Sequence, residues 1–314
     1  MDQRAHDSLY LVDGNIVLIA PCTTGQHTVF RVHQSILAKN SPVFETMLAL
    51  PGAHANEMYD GVPLVQLPDG AEEVESLLRV LYHECALPFK RLDPNTPSSV
   101  KRVLTLANKY GMENLRDRIV MHVEADWPQS LWHREHLDDH LPEPASAIRL
   151  ARECNIPNIL PAAFYHLSRL SIYDNRCTSY IAQEVKTSEV SYEDLYHGNR
   201  TADWGILSSE DYMCLLRGKA KLALISDDLF DISQICDRQH TIDTCSLSRE
   251  LTLLADIRNT CRRSSDILET LHCYLDQGGF GDQVCSWCNI YIRRELKRFR
   301  HTVWVQIPVY FGLT

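Results

Sequence analysis

Three clusters of residues have the types and spacing that chemistry requires. His33 lies close to Ser35 and Ser41 in Phe30-Arg-Val-His-Gln-Ser-Ile-Leu-Ala-Lys-Asn-Ser-Pro-Val-Phe44. A serine nucleophile needs a base within hydrogen-bond reach and a third group to orient that base. No Gly-x-Ser-x-Gly elbow accompanies the pair. Ser41 precedes Pro42 and an apolar run, which is the pattern of an N-cap with proline at the first helical position. His33 then reads as a structural hydrogen-bonder at the seam between a strand and a helix.

His133, His136 and His140, with Asp138 and Asp139, have spacings that place imidazoles on one helix face as metal ligands. The flanking Pro128, Pro142 and Pro144 and the polar composition fit a solvated linker better. Cys285-Ser-Trp-Cys288 is the sharpest chemical word in the chain. Cys261 and Cys273 lie upstream of it with eleven residues in each gap. Four thiolates at this spacing are a candidate structural zinc site, and zinc is the one cofactor the sequence suggests. The competing reading is small residues buried on one helix face. A thioredoxin-type redox role needs a βαβ setting that the pattern lacks. A basic run, Arg293-Arg-Glu-Leu-Lys-Arg-Phe-Arg-His301, has the charge to meet phosphates. Leu296, Phe299 and Val303 supply a buried stripe through it, so its cations read first as a solvated face.

The elements that must position these residues follow from periodicity and turn chemistry. Residues 13–20 and 28–32 predict a β-hairpin across Cys22–Gly25. Helices are expected over 33–40 and 41–50, a loop over 51–61 and a strand at 62–67. Asp69 and Glu72 have capping-box spacing for a helix whose face is Val74, Leu77, Leu78, Leu81 and Tyr82. After a proline-rich break at 88–99 come helices at 100–111 and 112–126. Beyond a linker at 127–142, helices are expected at 145–154, 157–172, 208–226, 246–258, 264–276 and 283–303, with Ser208 and Asp211 spaced as a capping box. Residues 174–205 are polar and carry no assignment. The fold class is α+β: a small sheet covered by helices over 10–126, then an all-helical domain over 143–314.

Composition narrows the function. A net charge of −10 over 314 residues disfavours general nucleic-acid binding. The longest apolar runs are too short to span a bilayer, so no membrane partner is expected. The opening residues MDQRAHDSLY lack an apolar signal core, and the cysteine count of 11 is odd. Reduced thiols inside the cell, in cytoplasm or nucleus, are the expectation. No nucleophile, phosphate loop or metal-activated water assembles from the motifs, so no enzyme is expected.

The local words and their order resemble the BTB/POZ family. They are Asp13-Gly-Asn-Ile-Val-Leu18, Phe30-Arg-Val-His-Gln34, Leu37, Ser41-Pro-Val-Phe44, Met47-Leu48, Leu81-Tyr82 and Ala107-Asn-Lys-Tyr110. The resemblance covers about residues 10–126. The segments 151–165 and 307–313 look like the helical extension of a large fungal class of these proteins.

It implies a structural core of Asp13, Phe30, His33, Leu37, Ser41, Phe44, Leu48, Leu81, Tyr82 and Tyr110, and partner-facing positions at Gln34 and Met47. It also implies a protein-interaction scaffold or adaptor, self-association in some members, and docking to cullin-3 in others. The alternative is a self-associating, transcription-linked regulator that uses the basic run at 293–301. Gln34 stands where many members carry Lys or Arg opposite the first-strand aspartate, so the partner of Asp13 is left open.

Overall fold

In the computed structural model, the described residues are 3–50, 58–83, 93, 95–130, 143–172, 202–229, 247–276, 280 and 284–313. They divide into two compact units. The first is Met1–Ala125 with Arg152–Asn155, and the second is Asp126–Ala151 with Ile156–Thr314.

The expected hairpin is the centre of the first unit. Strands β2 (Ile16–Pro21) and β3 (His27–Val32) pair antiparallel from Ile16↔Val32 to Pro21↔His27. Ile16 through Ala20 are all buried, and a strand covered on both faces reads as an unbroken apolar run. Gly14 leads into it because the Arg31–Val32 backbone passes too close for a Cβ, at 2.9 Å. Strand β5 (Val62–Gln66) adds in parallel to β2, and the short β4 (Met58–Tyr59) closes that edge.

The sequence pattern gave no sign of β1 (Gln3–Tyr10). It pairs in parallel with β3 and completes a mixed sheet of order β1-β3-β2-β5-β4. Its sequence, QRAHDSLY, has one fully buried side chain, Leu9, so periodicity had almost nothing to detect.

Helices α1 (Gln34–Asn40), α2 (Pro42–Ala49), α3 (Ala71–Leu81), α4 (Thr96–Lys109) and α5 (Glu113–Ala125) complete the unit. Ser41 caps α2 by accepting from the Phe44 N–H at 3.0 Å. The expected capping box of α3 does not form. Gly70 is its N-cap, and the Asp69 carboxylate instead receives Lys109 Nζ at 2.5 Å and the Tyr110 hydroxyl. A charged donor outcompetes a backbone N–H for that carboxylate. Helix α4 starts earlier than expected, with Pro97 in its first turn, a position that needs no proline N–H.

The second unit is helical throughout its described residues apart from turns and an isolated bridge. Its helices are α6 (Pro144–Cys154), α7 (Leu160–Ser168), α8 (Ser209–Ile225), α9 (Leu247–Arg263), α10 (Ile267–Asp276) and α11 (Ser286–Phe311). The last turn of α6 groups with the first unit, where Lys101 pairs with Glu153 at 2.6 Å. Ser208 and Asp211 make the expected reciprocal capping box of α8. Helix α11 runs eight residues past its expected end, through Pro308, and stops at Gly312 in the left-handed conformation at φ 65°. Ile307 and Phe311 are fully buried, so burial of this last turn outweighs the proline. Trp127, at the start of the expected linker, is 2% exposed and tilts against His166. Among the described residues no helix is long and apolar enough to cross a membrane.

Candidate functional site

The His33 seam is a hydrogen-bonded chain of structural groups. The His33 backbone N–H donates to the Tyr82 hydroxyl at 2.8 Å. That hydroxyl also lies 2.9 Å from His33 Nδ1. Having accepted one proton from the backbone, the phenol gives its own to Nδ1, which leaves the Nε2 proton for Asp13 Oδ2 at 3.3 Å. Burial pushes the Tyr82 phenol up, and Asp13 adds to that.

His33 is therefore the partner that Asp13 needed. Gln34 turns to Asn15 instead: its N–H donates to Asn15 Oδ1 at 2.8 Å and its amide to Asn15 O at 3.3 Å. The placement of Asp13 in the core is corrected, since its side chain is 83% exposed at a turn. An exposed carboxylate beside one imidazole adds little to stability.

The other expected core residues sort by depth. Phe30, Leu37, Ser41, Phe44 and Tyr110 are buried, whereas His33, Leu48, Leu81 and Tyr82 are half-buried at the margin. Phe44 and Tyr110 stack at 4.4 Å, and burial together with Asp69 pushes the Tyr110 phenol up. The Ser41 hydroxyl donates to the Tyr110 carbonyl at 2.5 Å, so its proton is not offered to His33.

The outward face of α2 has a different character. Val43 and Leu50 are exposed, and Met47 is half-buried between them. The spacing i, i+4, i+7 puts all three on one helical side. Sequence reading picked out Met47 but missed its two neighbours, which an α2 helical wheel would have shown. An exposed apolar stripe of this kind is suited to contact another protein.

In the second unit, the four cysteines proposed for zinc are not gathered. Cys261, Cys285 and Cys288 are buried while Cys273 is exposed. The Cys273 thiol donates to Glu269 Oε1 at 3.2 Å, and the Cys288 thiol to Glu250 Oε2 at 3.7 Å. Among the described residues, no three His, Cys, Asp or Glu side chains converge as a metal site would require. The gap of eleven residues spans helix boundaries, so equal spacing does not bring these side chains to one point.

Burial pushes the Cys261 thiol up to about 11. Cys273 should therefore be alkylated before Cys261 by iodoacetamide at pH 8, as read by peptide mass spectrometry. Because the folded pKa is raised, the folded state keeps a proton that the unfolded chain loses. This contribution to stability is complete below the ordinary thiol value of 9.0, falls as pH rises, and is gone above about 11.

The basic run lies on α11. Arg294 and Arg298 both reach Glu295, at 3.5 and 3.3 Å, and Arg300 donates to the Leu268 carbonyl at 3.2 Å. The cluster at His133, His136 and His140 lies outside the described residues.

The first unit is thus a hairpin extended in parallel by a third strand and wrapped by short helices, with an exposed apolar stripe along α2. Residues 21–126 match the BTB/POZ domain, so the chain carries a BTB/POZ domain over these residues. The match begins at the last residue of β2, so β1 and most of β2 lie ahead of it. No curated protein matches the chain. A BTB/POZ domain is a protein-interaction module, and protein binding is the role the match gives this chain.

Proposed function

We propose that the chain is an intracellular adaptor. The BTB/POZ unit docks a common partner, in the specific version the cullin-3 scaffold of a ubiquitin ligase, and the helical unit holds a target protein. The mechanism is proximity, and the chain itself makes and breaks no bond. The observation that carries this reading is the BTB/POZ match at 21–126, joined to a separately packed helical unit. The Val43, Met47 and Leu50 stripe on α2 supplies a docking surface on the first unit.

The test is capture of purified cullin-3 by the full chain, compared with a Val43→Asp, Met47→Asp variant. Specific capture that the variant loses is expected, while equal recovery by the two proteins rejects the cullin version. Light scattering on the same samples reads self-association, for which a dimer at micromolar concentration is expected. The transcription-linked alternative has less support, because two exposed cations of its proposed reader, Arg294 and Arg298, already face Glu295.

A further inference from the structure

Helix α8 has two apolar faces, and among the described residues the core uses one of them. Asp211, Cys214, Leu215, Gly218 and Ile225 form the buried face. On the opposite side Met213, Leu216 and Leu224 are 55%, 60% and 64% exposed, with exposed Ala220 between them. Spacing of i, i+3, i+7 and i+11 makes this one continuous stripe about 16 Å long, at about 1.5 Å per residue. Scattered exposed apolar residues need no explanation, but an aligned stripe on a helix already anchored by its other face does. Arg217 and Lys221 run along one edge, and Lys219 lies along the other, reaching the Ser168 carbonyl at 3.2 Å. No carboxylate among the described residues pairs with Arg217 or Lys221.

We propose that the outer face of α8 is a docking site for an amphipathic acidic helix of a partner protein. The partner helix has about three turns, apolar residues at helical spacing, and Asp or Glu set to meet Arg217 and Lys221. Charge complementarity selects this occupant. A second copy of the chain would set the same cations against each other, which disfavours a pair of α8 helices. An anionic lipid surface fits less well. The stripe is narrow and carries no Trp or Phe, Glu210 and Asp227 sit at the two ends of the helix, and the chain bears a net charge of −10. The inference rests on the adaptor reading and gives the chemistry of the target that the helical unit holds.

The experiment selects a displayed library of random 16-residue peptides on the full chain, with counter-selection on the Leu216→Ser variant. Enrichment of sequences combining helically spaced apolar residues with Asp and Glu is expected. An enriched peptide, labelled with fluorescein, should bind the wild type at least tenfold more tightly than either Leu216→Ser or Lys221→Glu, and more weakly at 500 than at 50 mM salt. Both substitutions are at exposed positions, and an unchanged thermal melt verifies that each variant is folded.

The proposal is overturned if no sequence is enriched, if enriched sequences lack acidic residues, or if they bind both variants as well as the wild type. It is equally overturned if Leu216→Ser abolishes a concentration-dependent dimer, or abolishes binding to phosphatidylserine vesicles. Cullin-3 capture by the same wild-type preparation separates the two readings. Retained capture with no peptide binding removes only the α8 site, and peptide binding without capture removes only the cullin version.

Discussion

Replacing Asp266 with Ala should lower the stability of the helical unit by about 3–5 kcal/mol, the range for breaking one side of a buried ion pair. The Asp266 carboxylate takes the Arg169 guanidinium on one oxygen, and on the other the Tyr165 hydroxyl at 2.7 Å and the Glu269 N–H at 3.1 Å. The Arg169 side chain is 3% exposed, so without its partner it is left as a buried charge. Arg169 also donates to His166 Nδ1, and the Leu268 N–H donates to the Tyr165 hydroxyl at 3.0 Å. One carboxylate thus joins the end of α7 to the start of α10.

Burial holds the Tyr165 phenol well above its ordinary value, and Asp266 adds to that. Asp266→Asn should lose less than Ala. The amide oxygen can still accept from Tyr165 and Glu269, but the amide nitrogen faces a guanidinium that also donates. All five tryptophans, at 127, 132, 204, 287 and 304, fall in the second unit, so urea unfolding followed by tryptophan fluorescence reads this unit directly. An unchanged midpoint for Asp266→Ala would show that the network contributes nothing net.

The second large effect is at the crossing of α8 and α11. Gly218 sits against the Phe311 ring, and a Cβ built on it falls well inside van der Waals contact with three ring atoms. Phe311 is fully buried and also meets Phe164, with centroids 5.7 Å apart, so the ring has little room to move. Alanine in a helix is ordinarily favoured over glycine by about 1 kcal/mol. Here Gly218→Ala should instead destabilise, by roughly 1–3 kcal/mol, as overpacking does. Phe311→Ala should lose about 3–5 kcal/mol through the cavity it leaves. The double variant should lose less than the two single losses combined, because the new methyl group enters that cavity. Urea midpoints for the four proteins give the coupling, and strict additivity would contradict the close crossing.

How far the sequence was readable depended on how strongly burial shaped each segment. The β2 run and the β2–β3 hairpin were clear because strand and turn chemistry agreed. Ser41 and the Ser208–Asp211 box were clear because capping is local. Strand β1 was not, since an edge strand with one fully buried side chain leaves no alternation. The end of α11 at Phe311, rather than near 303, is not legible locally, because Pro308 is a local breaker and the burial of Phe311 is a property of the whole unit. Asp69 has the spacing of a cap. Its actual partners, Lys109 and Tyr110, are some 40 residues away, beyond the reach of local pattern. The four cysteines fell into the opposite error, since regular spacing in sequence carries no promise of convergence. For the interaction surfaces, residue types alone cannot tell an outward leucine from an inward one. The α8 stripe became visible only once the other face of that helix was assigned to the core.

The position of β1 also sets an order of assembly. Its pairing with β3 joins Gln3 to His27, whereas the β2–β3 hairpin closes between Pro21 and His27. The short loop closes first, and β1 has no edge to join until it has. On the reverse path β1 should be the first to leave, because Leu9 is its one fully buried side chain and its other anchors, His6 stacked 5.1 Å from Phe30 and the Tyr10 hydroxyl on Asp60, lie nearer the surface. Its release is a partial opening of the kind that native-state hydrogen exchange resolves, and it frees the outer hydrogen-bonding edge of β3 while β2 and its apolar run stay protected.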